Sequence, residues 1–107
     1  MEPVLLYVTA ATMDAASKLA RIAVEERLAA CANLLEGMTA IYRWNGALQE
    51  EREVVLLLKT TADRQEALIA RLRELHDYDV PCIVALPIVA GNPDFLKWVG
   101  DETRENR

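Results

Sequence analysis

The residue types best suited to chemistry gather in one short stretch, where His76, Asp77, Asp79 and Cys82 follow one another. An imidazole, two carboxylates and a thiol offer nitrogen, oxygen and sulfur donors; copper(I) favours thiolates, and copper(II) favours nitrogen and oxygen. His76 is the single histidine of the chain, so imidazole ligation within one subunit rests on it alone. At a helix end the same ring can serve as a cap. His76 and Cys82 are the candidate metal ligands, with copper or another divalent cation as the candidate ion. The second cysteine, Cys31, makes no CxxC or zinc-type spacing with Cys82. Both adjoin apolar strands, which favours buried, free structural thiols over a disulfide or a paired metal site.

Other residues could line a cleft. Lys59 closes an apolar run, Tyr78 and Asp79 follow the second helix, and Trp44 stands near a turn. Lys59, Tyr78 and Trp44 are therefore the candidate walls of a cleft between subunits, able to receive an anion. Tyr42 and Trp44 alternate on one face of an extended segment and are expected to pack against a neighbouring strand or subunit. The acidic run Glu50, Glu51 and Glu53 reads as a solvated surface, because successive strand residues face opposite ways. Gly91-Asn92-Pro93-Asp94 reads as a helix cap; it lacks the glycine-rich approach and the lysine of a phosphate loop. No Ser-His-acid order, activated Cys-His pair or metal-hydrolase motif is present, so no catalysis is expected.

The whole chain sets bounds on these readings. Its 107 residues suit one hydrophobic core and a single domain spanning residues 1–107, with a polar, frayed tail expected over 101–107. A formal net charge of -5 repels polyanions, so neither nucleic acid nor an anionic membrane is an expected partner. The longest apolar runs fall well short of the ~20 residues a spanning helix needs. Met1-Glu2-Pro3-Val4 carries an acid where a secretory leader carries basic residues, so a cytoplasmic location is expected.

The elements that must position the candidates can be read in order. Val4-Leu5-Leu6-Tyr7-Val8 is an apolar, partly β-branched run that predicts a central strand buried on both faces. Thr12 or Asp14 can cap a helix whose Ala16, Leu19, Ala20 and Ala23 form its buried stripe, ending near Leu28 to Ala30. Cys31 to Leu35 and Thr39 to Trp44 are extended, with Gly37 marking a bulge or bend between them. Asn45-Gly46 is the strongest local signal, since a type I′ turn needs positive φ at both central residues. The return strand runs from a wet, charged stem into Val54-Val55-Leu56-Leu57-Leu58, so the hairpin tip should project beyond the core. Thr60 or Thr61 can cap a second helix carrying Leu68, Ile69, Leu72 and Leu75. Ile83 to Val89 predicts a last strand, in which Pro87, unable to donate to a ladder, argues for an edge position or a bulge. Asn92 and Pro93 then start a short C-terminal helix.

The resulting order is an α+β, ferredoxin-like β-α-β-β-α-β fold with a long central hairpin. Two helices can cover only one face of such a sheet. The uncovered face is a partner-binding surface, and self-association is its economical cover. The hairpin, with Tyr42, Trp44, Asn45 and Gly46, is the expected device for joining subunits.

Five segments together carry a resemblance: Leu28-Ala29-Ala30-Cys31-Ala32-Asn33-Leu34, Ile41-Tyr42-Arg43-Trp44-Asn45-Gly46, Leu58-Lys59-Thr60, Tyr78-Asp79-Val80-Pro81, and Gly91 through Trp98. In that order they resemble the CutA divalent-cation tolerance family over nearly the whole chain. The resemblance implies a ferredoxin-like subunit, a homotrimer joined by strand pairing, and a cytoplasmic role in tolerance of copper and other divalent ions. It also implies a copper site built from a strand-end Cys and one or two His. Here Val8 stands at the Cys position, Leu75 at the first His, His76 at the second, and Cys82 where a Glu is usual. Two other readings compete with ion binding: a small-molecule-sensing regulatory trimer resembling the PII-type signalling proteins, by fold analogy, and a scaffolding trimer that recruits another protein.

Overall fold

The apolar, partly β-branched run of β1 (Pro3–Ala10) folds as a strand with two unlike faces. Val4, Leu6, Val8 and Ala10 point to one side and are buried, whereas Leu5 and Tyr7 on the other side are only half-buried. The expected burial on both faces is thus met on one. The other elements of this computed structural model, which describes residues 2–104, are α1 (Met13–Glu25), β2 (Cys31–Trp44), β3 (Ala47–Thr61), α2 (Ala62–Leu75), β4 (Ile83–Pro87) and α3 (Pro93–Glu102). The four strands form an antiparallel sheet in the order β2-β3-β1-β4. β1 and β3 are central, and β4 lies at an edge as Pro87 requires.

The hydrophobic core lies between the sheet and α1 with α2. Leu19, Ala20 and Ala23 of α1 and Leu68 and Leu72 of α2 pack with Val4, Leu6, Val8, Leu56 and Leu58. Alanines on the α1 stripe let the helix axis approach the sheet closely. Thr12 begins α1 by accepting a hydrogen bond from the Ala15 amide at 3.1 Å. The helix stops at Glu25, short of the expected Leu28 to Ala30, because Arg27 takes a left-handed φ of 61°. The Leu28 and Ala29 amides then bond the Ala23 carbonyl, closing the helix end.

β2 is one continuous strand rather than two pieces. A bulge between Leu35 and Met38 absorbs one extra residue, and Gly37 supplies the positive φ of 86° it needs. Asn45 and Gly46 turn the hairpin with φ of 50° and 78°, as a type I′ turn demands. β1 pairs with β3 only from Val54 onward, so Ala47 to Glu53 pair with β2 alone and extend about 23 Å past the core at ~3.3 Å per residue. The radius of gyration of 14.4 Å accordingly exceeds the ~13 Å of a compact chain this long.

Two boundaries, one cap and the exposure of one residue differ from the sequence reading. β4 ends at Pro87, not Val89, although the Ile88 amide still reaches the Pro3 carbonyl at 3.1 Å. Thr61 holds the N-cap position of α2 without a side-chain cap bond; Thr60 instead donates to the Leu28 carbonyl at 2.7 Å. Glu53, expected in a wet stem, is only 8% exposed. At the C-terminus α3 runs to Glu102, and Thr103 is buried with its hydroxyl donating to the Val99 carbonyl at 2.8 Å. The helix thus reaches into the tail expected to begin at residue 101, and residues 105–107 lie outside the described residues.

Candidate functional site

His76 sits where α2 gives way to loop, its amide bonded to the Leu72 carbonyl. Its ring nitrogens are both occupied. The Tyr78 amide donates to Nδ1 at 3.1 Å, and Nε2 lies 2.8 Å from the Thr9 carbonyl. An amide can only donate and a carbonyl can only accept, so Nδ1 is bare and Nε2 carries the proton. The ring thus pins the end of β1 to the loop after α2. The His76 and Tyr78 rings lie 4.7 Å apart. Beside them a small cavity of about 110 Å³ is lined by Ala11, Lys18, Leu19, Leu75, His76 and Tyr78.

The burial expected of both cysteines is not met: Cys82 is exposed and Cys31 half-buried, and both thiols are free. The Cys82 carbonyl accepts from the Thr9 amide at 3.4 Å, so His76 and Cys82 reach the same Thr9 from two sides. Among the described residues no three or more His, Cys, Asp or Glu side chains gather in a way that could hold a metal ion. Val8, at the position the resemblance gives to a ligating Cys, is fully buried in the helix-facing core. One subunit does not fit a resident metal by itself.

The strand registers decide what shares the uncovered face. Leu5, Tyr7 and Thr9 align across the sheet with Val55, Leu57 and Lys59, with Val84 and Leu86, and with Cys31, Asn33 and Leu35. Past the bulge, Met38, Ala40, Tyr42 and Trp44 join that face, opposite Glu53, Glu51, Gln49 and Ala47. Without the extra residue Tyr42 and Trp44 would point to the helix side. Lys59 donates to the Asn33 side chain and lies 5.9 Å from the Phe95 ring centroid. That contact places α3 against one end of the same face.

Of the proposed cleft residues, Lys59 is thus held near Asn33 and Phe95, Trp44 stands at the hairpin tip, and Tyr78 neighbours His76. Separate registers and loops hold them. Tyr42 donates its phenol proton to Glu51. That bond, with burial and the charges of Glu51 and Glu53, pushes the Tyr42 phenol up to about 12. The Tyr78 phenol is also raised, first by burial and then by Glu53, Glu51 and Asp77.

Sequence reasoning missed Glu53 as a site residue. The available signal was strand alternation, which sends Glu51 and Glu53 to the face of Val55 and Leu57 and Glu50 to the other.

This architecture has known counterparts. A family profile described as CutA1 divalent ion tolerance protein matches residues 4–102. The chain belongs to the CutA divalent-ion tolerance family. It is 47% identical over 103 residues to the divalent-cation tolerance protein CutA of Thermus thermophilus, covering 96% of this chain and 99% of that one. The CutA homolog of Xenopus laevis is 45% identical over 95 residues, which are 89% of this chain and 63% of its own length. The crystal structure of CutA1 from Oryza sativa superposes with a TM-score of 0.95 at 37% identity, covering 99% of this chain and 97% of that one. The shared fold is the α+β, ferredoxin-like sheet with CutA's long hairpin.

Proposed function

We propose that this CutA chain contributes to divalent-ion tolerance as a cytoplasmic homotrimer that binds copper or another divalent cation between subunits and does no covalent chemistry. The observation that carries this reading is the uncovered sheet face. Leu35, Tyr42, Trp44, Val84 and Leu86 are each 36–54% exposed on it, and the two outer strands, β2 and β4, each leave an edge free for pairing with another copy. The accessible surface of 6939 Å² exceeds the ~6,000 Å² of a folded monomer of this mass. The excess, on the order of 900 Å², matches what one partner contributes to a standard interface.

Ion binding would then draw on copies of Cys82, the exposed thiol, brought together by assembly. His76 could join only by exchanging its bond to Thr9 or Tyr78 for the metal. Native mass spectrometry with and without copper under reducing conditions tests this. A three-subunit species should retain copper, and Cys82→Ser should lose it. A monomer in all conditions, or unchanged copper retention in Cys82→Ser, defeats this reading. A thermal shift with nucleotides but not with metals would transfer support to the regulatory-sensor reading.

A further inference from the structure

Two helix ends of opposite polarity meet at the small cavity beside His76. α1 starts at Met13 and α2 stops at Leu75. Ala15, Lys18 and Leu19 from the first turns of α1 line the cavity, together with Leu75, Asp77 and Tyr78 from the end of α2 and the loop after it. A helix start carries partial positive charge and a helix end partial negative charge, so the two ends together make the cavity dipolar. The charged side chains follow the same order. Lys18 stands on the α1 side and Asp77 on the α2 side, and among the described residues neither has a hydrogen bond or an ion pair. They share one cavity without pairing with each other. The Tyr78 hydroxyl is also without a hydrogen bond among the described residues. Asp14, the acid in the first turn of α1, does not line the cavity.

The walls set the size and shape of an occupant. Apart from Lys18, Asp77, Tyr78 and His76 they are alanine and leucine side chains. His76 is fixed by its bonds to Thr9 and Tyr78, which holds that wall in place. The volume of about 110 Å³ is well below the roughly 300–1,000 Å³ of pockets for drug-sized ligands. It is nearer the ~150 Å³ that holds benzene, which limits an occupant to about six heavy atoms.

We propose that this cavity binds a small α-amino acid, of the size of glycine or alanine, as its zwitterion. The carboxylate faces Lys18 and the start of α1, where a charge-assisted bond forms. The ammonium faces Asp77 and the Tyr78 ring, whose face attracts a cation. A plain anion or a plain cation satisfies one pole and leaves the other empty. A metal ion fits less well, because it would meet one carboxylate beside a lysine, with no donor group of three or more among the described residues. The site needs neither a metal nor a second subunit and so stands apart from the ion-binding reading above.

The test titrates the full nitrogen-15-labelled chain with alanine, leucine, acetate and ethylammonium in metal-free buffer at constant ionic strength, following backbone amide shifts. Alanine should move the amides of Ala15, Lys18, Asp77 and Tyr78 along saturating curves. Acetate and ethylammonium, each lacking one charge, should bind at least tenfold more weakly, about the loss of one charge-assisted bond. Leucine, with three more carbons, should give no saturating shift at these amides. Lys18→Met and Asp77→Asn should each weaken alanine binding at least tenfold. Both positions are exposed, so both variants should keep the fold. The proposal is overturned if alanine gives no saturating shift, or if either variant binds alanine as wild type does. Acetate or ethylammonium matching alanine overturns it in favour of a plain anion or cation site. Leucine matching alanine overturns it too, since the cavity would then not bound its guest. Because no metal is present, failure here leaves the copper test with Cys82→Ser standing.

Discussion

The two bonds on His76 bear directly on how its substitution should be read. The ring satisfies the Thr9 carbonyl and the Tyr78 amide at 2.8 and 3.1 Å, and removing one partner of a half-buried bond exposes the other to the cost of desolvation. His76→Ala should therefore lower unfolding stability by about 1–3 kcal/mol in metal-free buffer, as measured by urea denaturation. A variant as stable as wild type would mean that these bonds contribute nothing. Tyr42 gives a second test at this scale. Its folded-state phenol is raised to about 12 from an ordinary 10, so the unfolded chain loses that proton first as pH rises. The stability linked to it is fully present below pH 10 and is lost as pH climbs towards 12. Wild type should decline across that window more steeply than Tyr42→Phe, and parallel pH profiles would refute the assignment. Glu26 runs the opposite way. Its carboxylate is lowered first by its hydrogen bond from Arg71, so its contribution is present above the ordinary carboxylate range and fades on acidification.

At the scale of elements, the two adjacent threonines closing β3 have opposite roles. Thr60 is fully buried and donates to the Leu28 carbonyl, tying the segment after α1 to the sheet. Thr61 is as buried, but its hydroxyl has no partner among the described residues. Thr60→Val should cost about 1–3 kcal/mol, while Thr61→Val, which keeps the shape and a β-branch suited to extended backbone, should gain up to about 1 kcal/mol. Equal effects in denaturant titrations would contradict this division. The same strand shows what a sequence can reveal. Asn45-Gly46, Gly37, Asn92-Pro93 and the Ala16, Leu19, Ala20, Ala23 stripe announce turn, bulge, cap and buried face because each follows a local steric or periodic rule. The end of α1 does not, since nothing in the type of Arg27 marks a left-handed φ. Glu53 is obscured differently: within a run of charges its identity says solvent on any face, and its register opposite Met38 is what places it on the uncovered face of the sheet. The donor stretch 76–82 was legible as chemistry, but the direction of the His76 nitrogens depends on Thr9, which is remote in sequence.

On the scale of the whole molecule, the uneven treatment of apolar residues argues for assembly. Val24, on α1, is 38% exposed, close to the 45% of Leu86 and 49% of Val84, yet the three occupy different settings. Val24 lies on a helix that already covers the sheet, while Val84 and Leu86 belong to the uncovered face. Scattered exposed apolar side chains are normal, but a contiguous set on one sheet face marks an interface. A net charge of -5 opposes close approach of copies only modestly at physiological salt, where the Debye length is about 8 Å. Leu86→Glu should therefore leave the isolated subunit folded, because an exposed strand position tolerates a charge to within about 0.5 kcal/mol, while placing that charge in the contact between copies. Native mass spectrometry should show the oligomer giving way to monomer in Leu86→Glu, with an unchanged far-ultraviolet circular dichroism spectrum. Val24→Glu should keep wild-type subunit number. If both variants assemble like wild type, the uncovered face is not what joins the subunits, and the pairing must rest on the free edges of β2 and β4 alone.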